Sequence, residues 1–150
     1  MTESRSSRVT PRIETATEDL SNALLQFLNE YSLERIGHHA PVSLQFAAHD
    51  NAGNLLGGVT GRVLHGVLSV HLLALSPAAR RTGLGTQLLQ TLEDAAREQG
   101  ATVARVDTLE FEAPDFYQKQ GYEIFGVIGE QAGRRQFFLR KQLVDGRRVA

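Results

Sequence analysis

Apolar residues recur along this chain in two rhythms. Leu20, Leu24, Leu25, Leu28 and Tyr31 repeat at helical spacing and fall on one face. Thr17 stands before them as an N-cap, with Glu18 and Asp19 in the first turn, where the helix dipole favours acids. Gly37 and Pro41, in IGHHAP, stop the helix. Beyond them the period shortens to two. VSLQFAA alternates, and LLGGVTGRVL and VLSVHLLAL follow as strands, with HDNAGN and HG as the turns between them. The glycines of the second run predict a bend or a close backbone approach. The continuous apolar end of the third predicts burial on both faces, and Pro77 ends it.

Helical spacing returns with Leu84, Leu88, Leu89, Leu92, Ala95 and Ala96, and Gly100 closes that helix at C′. TVARVDTL is a further strand. Pro114 suits the first turn of a short helix, APDFYQKQG, closed by Gly121. YEIFGVI and RRQFFLRKQL form a hairpin around GEQAG. A short strand over residues 12–15 precedes the first helix. This order predicts one mixed α/β sheet covered by helices on its faces. No internal repeat or domain boundary appears. Residues 1–11 and 144–150 carry no periodic pattern and read as loose tails around a single domain over residues 12–143.

Composition narrows the function. The 150 residues suit one domain with a real core. A formal charge of −1 gives no global field for nucleic acid or an anionic membrane, so any nucleotide site must be local. The chain has no cysteine, which removes disulfides, thiolate metal sites and a cysteine nucleophile, and fits a reducing compartment. No metal is expected. MTESRSSRVTPR has no apolar signal core, and no apolar run approaches the ~18 residues of a membrane span. A cytoplasmic protein is the expectation.

The candidate chemistry lies in ARRTGLGTQLL, residues 79–89. Two arginines and two glycines stand where a helix begins. A helix's first turn offers unpartnered N–H groups and positive partial charge, so an anion satisfies both. Gly83 and Gly85 let the backbone approach closely. Arg80 and Arg81 add guanidinium groups suited to phosphate oxygens, and Thr86 offers a hydroxyl. A diphosphate fits. The classical P-loop lacks its Lys here, and the dinucleotide fingerprint lacks its third glycine at Leu88.

The remaining pattern, Arg80-x-x-Gly83-x-Gly85 after the step Leu75-Ser76-Pro77, resembles the acyl-CoA loop of the GNAT acyltransferases. Downstream, FYQKQGYEIFG is similar to the family's tyrosine helix and following strand. The resemblance spans residues 12–143. It implies the GNAT fold, acetyl-CoA as cosubstrate and direct acetyl transfer to a primary amine. It further implies that the strand before the loop splays from its neighbour. The pantetheine arm would then pair with the main chain of Leu73, Ala74 and Leu75, much as a peptide adds to a sheet edge. Backbone N–H groups of Arg81, Thr82, Gly83, Leu84, Gly85 and Thr86 would hold the diphosphate. Tyr117 would protonate the departing thiolate, since a phenol keeps its proton at neutral pH. His71 stands where relatives place a carboxylate base, and an imidazole suits proton relay near neutrality; lining the cleft is its other role.

Two departures accompany the resemblance. Glu110 replaces an Asn seven residues before the tyrosine, which leaves one cofactor contact open. Glu110 and Glu112 read as solvated loop residues, with attraction of a cationic amine as the alternative. Ala74 replaces a frequent Trp, which widens the acceptor pocket. His38 and His39 read as ordinary loop residues. The acceptor, a small-molecule or peptide amine, is open, as is a homodimer through the final hairpin. The alternative function is a non-catalytic CoA-binding module of the same fold; a nucleotide-binding regulatory domain is opposed by the missing Lys and glycine.

Overall fold

The structure is a computed structural model that describes residues 10–36 and 40–144. His38 and His39 lie outside the described residues. Two compact units divide the chain, Met1–His38 and His39–Ala150.

The described residues of the first unit form one helix, α1, Ser21–Ile36. Its start lies beyond Thr17, which therefore does not cap it. Asp19 accepts from the Ser21 N–H at 3.0 Å instead and satisfies an orphan donor of the first turn. Glu18 and Asp19 precede the helix rather than occupying its first turn. Residues 12–15 form no strand. They are exposed and carry only an ion pair from Arg12 to Glu14 at 3.6 Å. Strand propensity over four residues is not enough without a pairing edge.

The second unit is a six-stranded sheet. Its strands are β1 Val42–His49, β2 Leu55–Leu64, β3 Val67–Leu75, β4 Val103–Leu109, β5 Glu123–Ile128 and β6 Gln136–Gln142. They lie in the order β1-β2-β3-β4-β6-β5. Only β3 and β4 run parallel, linked by helix α2, Leu84–Glu98; the other neighbours are antiparallel. A short helix α3, Pro114–Lys119, connects β4 to β5. α2 covers β1, β2 and β3. Its Leu88, Leu89, Leu92 and Ala96 bury against Val59, Val63, Leu68 and Val70. The close backbone approach read from β2 is present: a Cβ at Gly57 would stand 2.8 Å from the Ala74 carbonyl. No described helix is long and apolar enough to cross a membrane.

The apolar end of β3 departs from expectation. It is not buried on both faces: Leu72 is 69% exposed and Ala74 is exposed. Successive side chains point to opposite faces, and Leu73 and Leu75 pack against the core with α2 while Leu72 and Ala74 stand on the other face. The edge of the strand is open as well. β3 pairs with β4 only at Val67, Ser69 and the Leu68 between them, and beyond that point β4 bonds to β6 alone. The two parallel strands thus diverge into a wedge. On its other side β3 stays paired with β2, where Val70 faces Gly61 and Leu72 faces Thr60. His71 is therefore the extra residue of a bulge, and both His71 and Leu72 are exposed.

Candidate active site

The wedge, the loop after β3 and helix α3 converge. The Ser76 N–H bonds the Leu56 carbonyl at 2.8 Å, a single 3-10 turn spans Pro77–Ala79, and the Thr82 hydroxyl donates to the Ala79 carbonyl at 2.6 Å. These bonds fix the approach to α2. Arg81 and Gly83 both take left-handed conformations, with φ of 64° and 83°. For arginine that conformation costs about 1 kcal/mol, and such strain concentrates at functional sites. Its consequence is visible in the amides. The first helical bond runs from the Gln87 N–H to the Gly83 carbonyl. Across residues 81–86, six consecutive N–H groups find no partner among the described residues. Arg80 and Arg81 are exposed and make no ion pair among the described residues. The loop is a cluster of unspent donors and cations, with the chemistry to hold a diphosphate.

Gly85 marks a junction of three elements, where an added Cβ would make only ordinary van der Waals contacts. A Cβ there would lie 3.5 Å from the Phe116 ring and 3.7 Å from the Leu75 side chain. The end of β3, the start of α2 and the middle of α3 therefore meet at one residue. A second link crosses the same seam, where the Gln120 amide donates to the Thr86 hydroxyl at 3.0 Å. Leu73 and Leu75 are half-buried against the core, while Ala74 faces outward. The backbone edge of these three residues that faces β4 is unpaired.

Tyr117 is buried on α3, with 6% of its surface exposed. Its ring meets Phe116 and Tyr122 edge-on, with centroids 5.1 and 5.6 Å away. No described group hydrogen-bonds its hydroxyl, and that oxygen is not sealed from solvent. Burial, aided by the negative charge of Glu112, pushes the phenol up to about 12, so it stays protonated at neutral pH. No hydrogen bond joins Tyr117 to His71.

On the outward face of β3 a cavity of about 670 Å³ opens beside the wedge. Gln45, Thr60, Leu72, Ala74 and Ser76 help line it, and no lining residue carries a charge.

Glu110 is not a solvated loop residue. It is half-buried, and its carboxylate accepts from the Arg135 guanidinium (Nε at 3.2 Å) and from the Gly133 and Arg135 backbone N–H groups. The Arg135 hydrogen bond, the largest cause, holds that carboxyl at about 2. Glu110 clasps the turn between β5 and β6. Glu112 is exposed and accepts from the Thr108 hydroxyl at 3.3 Å.

Two features escaped the sequence. Gln120 carries no periodic or motif signal. Glu93 did carry one, because it interrupts the apolar stripe of α2. It is 2% exposed and takes the Tyr122 hydroxyl at 2.7 Å and the Lys141 ammonium at 2.9 Å. Burial and the Glu93 hydrogen bond push the Tyr122 phenol far above its usual range.

Comparison with known proteins places this geometry among relatives. The model of the acetyltransferase (GNAT) family matches residues 11–122. The blasticidin-S acetyltransferase of Streptomyces morookaense is 35% identical over 79% of this chain and 85% of its own length. The crystal structure of an acetyltransferase from Bacillus cereus superposes with a TM-score of 0.78 at 27% identity, covering 88% of this chain and 97% of that one. A nourseothricin acetyltransferase shares the fold, with a TM-score of 0.61 at 23% identity over 68% of this chain and 66% of its own.

Proposed function

Since the chain belongs to the GNAT family and is an acetyltransferase, we propose that it binds acetyl-CoA at residues 80–86 and acetylates a small-molecule amine in the outward cavity of β3. The observation that carries this is the row of six unpartnered N–H groups over residues 81–86, beside Arg80 and at the mouth of the β3–β4 wedge. The diphosphate takes those donors. The pantetheine amides pair with the free edge of Leu73, Ala74 and Leu75. Residues 12–143 act as one catalytic domain of a cytoplasmic enzyme.

In the reaction a neutral amine attacks the thioester carbonyl. The carbon–nitrogen bond forms, the carbon–sulfur bond breaks, and the amine gives up one proton. His71, exposed at the bulge, takes that proton. Tyr117 gives its phenolic proton to the departing thiolate. A backbone N–H near Leu75 faces the carbonyl oxygen as it becomes an oxyanion.

The uncharged lining of the outward cavity favours an acceptor with a neutral or weakly charged body over a polycation. Blasticidin S is the first acceptor to test, given the relative of that name. Two measurements check the proposal. Calorimetric titration with CoA should show strong loss of affinity for Gly83→Glu and near-normal affinity for Gly83→Asn, which tolerates the same left-handed backbone without the charge. Free-thiol release in a panel of amines should include blasticidin S among the substrates. Unchanged affinity in folded Gly83→Glu defeats the loop assignment.

A further inference from the structure

Thr86 differs from its neighbouring threonines in what its hydroxyl does. A hydroxyl has one proton to give and two lone pairs to receive with. Thr91, later in α2, gives its proton back to the Gln87 carbonyl at 2.8 Å, the usual helical arrangement. Thr82 gives its proton to the Ala79 carbonyl. Thr86 makes no such bond; its oxygen instead receives the Gln120 amide at 3.0 Å. With the oxygen engaged as an acceptor, its proton has no acceptor among the described residues. That proton sits at the third residue of α2, next to the row of unpartnered amides.

We infer that Gln120 is a positioning residue for cofactor binding: by donating to Thr86 it commits that hydroxyl to donate its proton to the diphosphate. This rests on the loop being the diphosphate site. Gln120 follows α3 directly and Phe116 packs at Gly85, so the helix bearing Tyr117 is tied to the anion site by the same seam. A carboxylate at position 120 would reverse the bond. Thr86 would then donate to residue 120 and present only lone pairs to an anion.

The test is a double-mutant cycle read by calorimetric CoA affinity. Thr86→Val should cost about tenfold, the scale of a hydrogen bond to a charged group. Gln120→Met should cost several-fold alone and almost nothing in the Thr86→Val background. Gln120→Glu adds a charge that repels the cofactor in either background. Its penalty should nevertheless be clearly larger when Thr86 is present, because only then is a proton turned away. Gln120→Asn serves as a second variant if Gln120→Met fails to fold. Wild-type affinity in Gln120→Met, or Gln120 penalties independent of Thr86, overturns the inference while leaving the loop assignment intact. Gly83→Glu with undiminished affinity overturns both.

Discussion

The Tyr122 hydroxyl donates to the Glu93 carboxylate at 2.7 Å, in the core and behind the ring of Tyr117. The same carboxylate holds Lys141, whose side chain is 23% exposed, whereas that of Glu93 is 2% exposed. Tyr122 is thus anchored at its hydroxyl while its ring braces Tyr117.

Removing Glu93 should therefore be costly. Glu93→Leu leaves the Lys141 ammonium and the Tyr122 hydroxyl without their partner, and a broken buried pair costs about 3 kcal/mol or more. Partial exposure of Lys141 keeps the loss toward the low end. Glu93→Leu/Lys141→Met should recover part of it. Denaturant melts of the two variants check this; a double variant no more stable than the single one contradicts it.

Tyr117→Phe removes one hydroxyl and leaves the ring packing in place. Turnover at saturating acetyl-CoA should fall on the order of 10²–10⁴-fold, with CoA affinity nearly unchanged. Wild-type kcat in a folded variant, with chemistry limiting, removes Tyr117 from the role of acid.

The same phenol sets an alkaline limit on stability. Its folded value of about 12 lies above the ordinary 10, so its contribution is complete below pH 10 and is lost as pH rises through 12. Stability of the wild type should fall across that window, and Tyr117→Phe should flatten part of the fall. Melts at pH 9, 10 and 11 read the difference.

Glu110 works in the opposite direction. Arg135 lowers its carboxyl to about 2, so its contribution is present above pH 4.5 and is lost as pH falls from there toward 2. Glu110→Gln should weaken that acid dependence and speed amide exchange in residues 129–135. Unchanged exchange there would show that the clasp does not hold the turn.

His71→Gln keeps a polar side chain at the bulge and removes the imidazole. The rate should drop by about 10²-fold or more while CoA affinity holds. A wild-type rate assigns proton removal to another group.

Much of this protein is legible in its sequence. Alternation marked β1, apolar runs bounded by turn residues marked β2 and β3, and Gly100 and Gly121 marked two helix ends, because period, turn chemistry and φ are local properties. The loop was also local: Arg80, Gly83 and Gly85 lie within six residues, so their spacing already implied a donor-rich helix start. The tertiary structure decided what depends on partners distant in sequence. The apolar end of β3 reads as buried on both faces until α2 packs on the face of Leu73 and Leu75 and leaves Leu72 and Ala74 exposed. Glu110 reads as solvated until Arg135, 25 residues later, folds back onto it. Gln120 means little until it meets Thr86, 34 residues earlier. A side chain's hydrogen-bond partner, and hence its charge state and the direction of its proton, is fixed by which strands and helices pack together, and no local pattern encodes that.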